Sequence, residues 1–417
     1  MSKDKLIPEL RFPEFEGDGE WIYKRLGETG KIITGKTPST KDASLWNGEI
    51  LFITPTDIDE NQKYQLVTNR TIVRNRKLNI LPEGSIAYTC IASIGKMSIT
   101  AKESVTNQQI NSIVVNANYH NEFIYYSLLH ITPFIKSRPA TSTLPIVNKT
   151  EFSAFRIGVP IPQEQQKIAS CLSSLDELIA AHKDKLDALK DHKKGLLQNL
   201  FPQEGETVPK VRFPEFEDDG EWVEDTLSNC ADVVDPHPSH RAPIAVSDGI
   251  PFIGIGDISE QGELNLKNVR LVPREILDEH RERYRLKIGD FAYGRVASVG
   301  KVVDLSKNID KDYTYSPTMA IVQPKRINAS FLRHLCNSSS FITQVIAKTS
   351  GSTRKSIGMQ NLRILNISMP SSLEEQQKIA SCLSALDEII VAQTDKIEQL
   401  QQHKKGLMQG LFPKMTD

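Results

Sequence analysis

Cysteine, tryptophan and net charge are all in short supply: 417 residues carry five Cys, three Trp and a formal net charge of −1. The five cysteines are odd in number, scattered and without a Cys-x-x-Cys pair, which excludes a disulfide scaffold and the usual zinc ribbons and fits a reducing cytoplasm. No apolar run approaches the ~18 residues of a membrane helix. The start Met1-Ser-Lys-Asp-Lys5 has no signal-peptide core, so a soluble cytoplasmic protein is expected. Near-neutrality removes the global basic field of an evident nucleic-acid binder. The signatures of catalysis are missing too. Gly294–Lys301 is one residue too long for a phosphate-binding loop and lacks the Ser/Thr after the lysine, so it reads as a turn between strands. There is no glycine-rich dinucleotide fingerprint, no Asn/Asp-Pro-Pro-aromatic motif and no Ser/His/Asp or paired-carboxylate arrangement. His237 and His240 lie near Asp235, but prolines surround them and no second ligand cluster appears, so no metal is expected. A chain so equipped binds rather than reacts.

What is present is a repeat. Glu164–Pro202 and Glu375–Pro413 are identical at 27 of 39 positions, from Glu-Gln-Gln-Lys-Ile-Ala-Ser-Cys-Leu-Ser through His-Lys-Lys-Gly-Leu to Leu-Phe-Pro. A second pair precedes them. Pro8-Glu-Leu-Arg-Phe-Pro-Glu-Phe-Glu answers Pro209-Lys-Val-Arg-Phe-Pro-Glu-Phe-Glu, each followed by Gly-Glu-Trp (Trp21, Trp222). The segments between these markers match only in scattered places. The chain is therefore two units, alike in scaffold and unlike in the variable part.

Within the repeats, Ile168, Leu172, Leu175, Ile179, His182, Leu186, Leu189, Lys193, Leu196 and Leu200 are spaced 4-3-4-3. Ile379, Leu383, Leu386, Ile390, Gln393, Ile397, Leu400, Lys404, Leu407 and Leu411 repeat the pattern, which is that of a coiled-coil seam. Pro162 suits a first helical turn, Ser371–Glu374 reads as a capping box, and Gly195 and Gly406 suggest weakening or an end. Each helix should be about 55 Å long. A parallel pair would require the 13 residues Phe201–Phe213 to travel that length, yet fully extended they reach about 43 Å. The helices are therefore expected to pair antiparallel. His182 and Gln393 either set the register or are partly exposed seam positions.

The variable parts hold β-rich runs with turn residues between them, giving an expected α+β class. Ile50–Ile58 parallels Ile250–Ile258, and Gly84–Lys96 parallels Gly289–Lys301. Short helices are expected over Asn121–His130 and Ser330–Leu335. Residues 1–160 carry a slight basic excess and 209–370 balance. Basic residues nevertheless gather at Arg70/Arg74/Arg76/Lys77 and at Arg281/Arg283/Arg285/Lys287, the latter either a basic surface or a solvated helix face. The expected organisation is a first globular domain over 1–160, a helix over 161–202, a linker and second domain over 203–370, and a second helix over 371–417.

Two dissimilar domains, each followed by a near-identical long helix opening Pro162-Gln-Glu-Gln-Gln-Lys-Ile168, with its echo at Glu374–Ile379 and the loop Thr34-Gly-Lys-Thr-Pro-Ser39, resemble the specificity (S) subunit of type I restriction–modification systems. The resemblance covers essentially the whole chain. It implies two target-recognition domains, each reading one half of a split, asymmetric sequence in double-stranded DNA. It also implies antiparallel helices that set the spacer and dock two methyltransferase (modification) subunits, with restriction/translocase subunits joining through them. S-adenosylmethionine, ATP and Mg2+ would sit on those partners and none on this chain. The second domain departs from the pattern where Asp235–Pro243 replaces Thr-Gly-x-Thr-Pro-Ser.

Base edges are read by polar and basic side chains on loops, with phosphate contacts fixing register. The candidates are Lys36, Thr37, Lys136, Arg138, Ser142 and Thr143 in the first domain, and His240, Arg241, Arg295, Ser352, Thr353, Arg354 and Lys355 in the second. Each is alternatively plain solvated surface. A two-domain coiled-coil adaptor that binds only proteins is the competing class. It predicts no DNA binding under any condition.

Overall fold

The computed structural model describes residues 6–137, 146–239, 241–259, 262–351 and 355–414. The heptads form two helices of 38 residues, Pro162–Asn199 and Leu373–Gly410. Gly195 and Gly406 do not end them. Each helix continues for another turn, because the Leu and Phe beyond the glycine are drawn into a core: Leu200 and Phe201 in one copy, Leu411 and Phe412 in the other. At the second helix Ser372 is the cap, its Oγ accepting from the Glu375 N–H at 3.2 Å. The box is not reciprocal, since the Glu375 carboxylate is engaged by Arg212.

The chain divides into two compact units, residues 1–182 with 397–417, and residues 183–396. Each unit therefore owns the start of one long helix and the end of the other, and within each unit these segments lie antiparallel. In the first, Lys404 pairs with Asp176. In the second, the equivalent Lys193 pairs with Asp387. The two lysines that interrupt the heptads are thus matched to carboxylates on the facing helix. The seam residues Ile168, Leu172, Ile179, Ile379, Leu383, Leu386, Ile397 and Leu400 are buried, while Leu175, Leu186, Leu189 and Ile390 are half-buried. Gln393 is buried and His182 half-buried. Each fully buried Leu contributes about 1.5–3 kcal/mol.

In the first unit the variable part builds a five-stranded sheet in the order Gly30–Thr34, Ile110–Val115, Ile86–Thr89, Met97–Thr100, Tyr64–Gln65. A three-stranded mixed sheet is centred on Trp46–Ile53. The second unit has a four-stranded antiparallel sheet, Ala231–Val234, Met319–Pro324, Phe291–Gly294, Val302–Asp304, and a matching mixed sheet centred on Ile250–Ile253. In both, a short two-stranded ladder joins the strand after the repeated Trp to the strand before the long helix: Ile22–Arg25 with Arg156–Val159, and Val223–Thr226 with Asn366–Met369.

The repeated Glu-Gln-Gln ties each domain to its helix. Glu164 accepts both guanidinium bonds of Arg11, at 2.9 and 2.8 Å, and the Trp21 indole N–H at 3.2 Å. Glu375 receives Arg212 at 2.8 and 2.7 Å. Gln165 accepts the His120 N–H and donates to the Pro160 carbonyl, and Gln376 does the same with Asn328 and Pro370. The segment before each Trp also closes on a helix end, Leu10 N–H to the Gly410 carbonyl at 2.8 Å and Val211 N–H to the Asn199 carbonyl at 2.9 Å. Phe412 stacks on Phe123 in one core, and Phe201 packs against Phe331 in the other.

Two expected helices differ in extent. The first runs Asn121–Ser137, straight through Pro133, because Ile135 beyond the proline stays buried, as Ile131 before it does. The second is Ala329–Leu335, followed by a separate helix Ser339–Lys348. Among the described residues no helix is long and apolar enough to cross a membrane.

Candidate nucleic-acid interface

Antiparallel register brings the candidate loops of each unit to one end of its larger sheet. In the first unit Thr34 faces Asn111, Thr89 faces Ile110 and Tyr88 faces Met97. The segments beyond these pairs, Gly35–Ser39, Asn107–Gln109 and Ile91–Lys96, therefore emerge together. Lys36 and Thr37 sit on the first, held by Lys36 N–H to the Thr106 carbonyl at 2.8 Å and by the Thr37 hydroxyl to Gln108 Oε1 at 2.6 Å. Gly35 must be glycine here, since a Cβ would overlap the Thr106 and Asn107 carbonyl oxygens. The Trp46 indole N–H bonds the Ser39 carbonyl at 3.1 Å, and the Arg70 guanidinium lies 3.4 Å above the Trp46 ring. Lys36 is exposed and makes no ion pair among the described residues. Lys136 is exposed on the last turn of Asn121–Ser137, beside Gly95, and not on a loop. Arg138, Ser142 and Thr143 lie outside the described residues.

The second unit repeats the plan. Val234 pairs with Ile321, Gly294 with Met319 and Tyr293 with Val302, so Asp235–Ser239, Ser316–Thr318 and Arg295–Lys301 emerge together. The segment Gly294–Lys301 is the turn its sequence suggests, with the Gly294 N–H on the Lys301 carbonyl at 2.7 Å and the Lys301 ammonium held by the carbonyls of Ile255 and Ile258. Equivalent turns carry alanine in the left-handed region, Ala92 at φ 61° and Ala297 at φ 64°. Lys355 is exposed and its carbonyl accepts from Ala297 N–H at 3.0 Å. Arg241 is exposed, with no ion pair among the described residues. His240, Ser352, Thr353 and Arg354 lie outside the described residues.

Arg295 is the candidate that the geometry revises. Its side chain is only 11% exposed, with Nη1 3.3 Å from Asp235 Oδ2 and Nε donating to the Ile357 carbonyl at 3.3 Å. It braces the loops, because an arginine buried by its neighbours must satisfy its donors there. The basic run at Arg281–Lys287 is likewise divided: Arg281 pairs with Asp312 at 2.7 Å, Arg283 donates to the Asp235 carbonyl, and Arg285 and Lys287 are exposed. In the first unit Arg74 pairs with Glu103, leaving Arg76 and Lys77 exposed.

Sequence reading missed two features. Asn107–Gln109 joins the first loop cluster by strand register alone, and an Asn-Gln-Gln triplet carries no local signal. His237 meets His280, 43 positions away, with Nδ1 of His237 3.0 Å from Nε2 of His280; His237 Nε2 lies 3.2 Å from the Arg241 carbonyl. Burial holds His280 well below the usual imidazole range, at about 4, with His237 and Arg283 adding to the shift. Among the described residues no group of three His, Cys, Asp or Glu is placed to hold a metal ion.

Charged and amide side chains displayed on loops at one end of a sheet suit recognition of a polar polymer. Comparison with known proteins points the same way. The type I restriction modification DNA specificity domain matches the chain twice, over residues 18–191 and 236–402. The type I restriction enzyme MjaVIII specificity subunit of Methanocaldococcus jannaschii is 26% identical over 97% of this chain and 93% of its own length. The HindI specificity subunit of Haemophilus influenzae is 35% identical over 34% of this chain and 32% of its own. The fold is also that of a crystallised type I S subunit from M. genitalium, at TM-score 0.59 and 13% identity over 99% of this chain and all of the other. A structure from a study of type I complex assembly gives TM-score 0.57 at 16% identity, over 94% of this chain and 97% of that one. With both of its variable regions covered by the match, the chain belongs to the type I restriction–modification DNA specificity family and carries two specificity domains.

Proposed function

We propose that this chain is the sequence-reading, non-catalytic subunit of a type I DNA methyltransferase and ATP-dependent endonuclease, and that each unit reads one half of an asymmetric, bipartite duplex site. The observation that carries this is the contrast within the repeat. The bidentate Arg–Glu pair and the Glu-Gln-Gln bonds recur in both units, while the loops at the sheet ends differ: Gly35–Ser39 in one unit, Asp235–Arg241 in the other. A scaffold that repeats while its displayed loops diverge suits two words of different spelling read in one format. Lys36, Lys136, Arg241 and Lys355, exposed at those ends, are suited to phosphate or base-edge contact. The long helices set the spacer and dock two methyltransferase subunits. S-adenosylmethionine, ATP and Mg2+ belong to the partner subunits and supply methyl transfer and translocation there.

The test is to assemble the full chain with its modification subunits, expose a randomised duplex library to S-adenosylmethionine, and map the methylated adenines. One split, asymmetric sequence is expected, with binding that weakens steeply as salt rises. Exchanging residues 20–155 for another family member's domain should rewrite one half only. Methylation without sequence preference, or rewriting of both halves, would refute the proposal.

A further inference from the structure

His237 and His280 form a buried pair that joins the displayed loop Asp235–Arg241 to the helix Arg274–Arg283 of the neighbouring mixed-sheet lobe. Its proton arrangement follows from the partners. The Arg241 carbonyl can only accept, so His237 Nε2 carries the hydrogen toward it. The hydrogen bond between the rings then runs from His280 Nε2 to His237 Nδ1. His280 Nδ1 is left without a hydrogen and is buried with no hydrogen-bond partner among the described residues. The chain of bonds runs in one direction, from helix to ring to ring to the backbone of Arg241. The ring of Phe252 packs edge-on against His237 at 5.2 Å and fixes its plane. Asp235, at the loop's other end, accepts His237 N–H at 3.2 Å and is gripped by Arg295. The loop is therefore clamped at both ends, and Arg241 leaves it with its side chain in solvent.

We propose that His280, acting through His237, is the positioning residue that holds Arg241 for reading one DNA half-site. Arg241 is the group that touches DNA, and His280 sets where it stands. The proposal deepens the reading of the chain as a specificity subunit and rests on it.

The full chain, assembled with its modification subunits, is tested on the randomised duplex library in four forms: unaltered, Arg241→Ala, His280→Gln and His280→Asn. A glutamine amide nitrogen falls close to imidazole Nε2, whereas the shorter asparagine amide does not reach it. Arg241→Ala should relax base preference in one half-site by at least about fivefold. His280→Asn should relax the same positions, and His280→Gln should restore them. The other half and the spacer should be unchanged in every variant. Thermal unfolding is measured alongside, so that altered preference is compared at matched folded fraction. Equal preference profiles for His280→Asn and the unaltered chain, or loss spread over both halves, would overturn the proposal while leaving the specificity reading intact. An unaltered complex without sequence preference would overturn both.

Discussion

Replacing Glu164 by Gln should be among the most damaging single changes in the first unit. The carboxylate side chain is 1% exposed and faces an Arg11 side chain at 7%. It takes two guanidinium bonds and the Trp21 indole N–H at once. Removing the charge strands a guanidinium that water barely reaches, which costs about 3–5 kcal/mol in comparable buried pairs. Arg11 also donates to the Gly19 carbonyl near the surface, so the lower end applies. For a unit of about 200 residues, a loss of about 3 kcal/mol lowers the melting temperature by roughly 6–12 °C. Calorimetry of the full chain reads the shift, and hydrogen exchange over residues 6–21 and 411–414 locates it. A double change, Arg11→Met with Glu164→Leu, should recover most of the loss and stop about 1 kcal/mol short, because the Trp21 N–H then has no acceptor. The second unit supplies an internal control. Trp222 Nε1 has no partner among the described residues, so Arg212→Met with Glu375→Leu should recover more completely. Midpoints of Glu164→Gln within about 1 °C of the unaltered chain, or a double change as damaging as the single one, would refute this account of the junction.

Three further outcomes are expected. Gly35→Ala forces a methyl into the Thr106 and Asn107 carbonyls; it should shift the Lys36–Thr37 loop and lower methylation of the sequence read by the first unit, leaving the second half-site unaltered. His280 and His334 are both held at about 4 by burial, with Asp387 partly opposing the shift at His334. Their folded forms bind fewer protons than the unfolded chain, so the second unit should lose stability as pH falls from ~6.5 toward 4. Urea midpoints of His280→Gln with His334→Gln should be flatter across that window. Leu172 and Leu383 are fully buried where the helices enter the two cores; each change to Ala should cost about 2–5 kcal/mol, read as loss of hydrogen-exchange protection in its own unit.

Sequence alone determined the duplicated frame, the two long helices and their opposed directions. Those conclusions rest on quantities local to the chain: a heptad period, an identity between segments, and a linker too short for parallel helices. Mixed α and β content in the variable parts was legible for the same reason. The register of the sheets was not, and register is what gathers Gly35–Ser39 with Asn107–Gln109, and Asp235–Arg241 with Arg295–Lys301. Only the tertiary structure showed that Arg295 turns inward to Asp235 while Arg241 stays in solvent, two arginines that composition cannot tell apart. It likewise turned the repeated Glu-Gln-Gln from a motif into a lock, since Arg11 meets Glu164 across 153 positions, and it joined His237 to His280 across 43. The division follows from distance along the chain. Backbone periodicity and chain reach act between neighbours and can be read from their order, whereas the burial and partner of a polar side chain depend on which remote strand or helix folds over it.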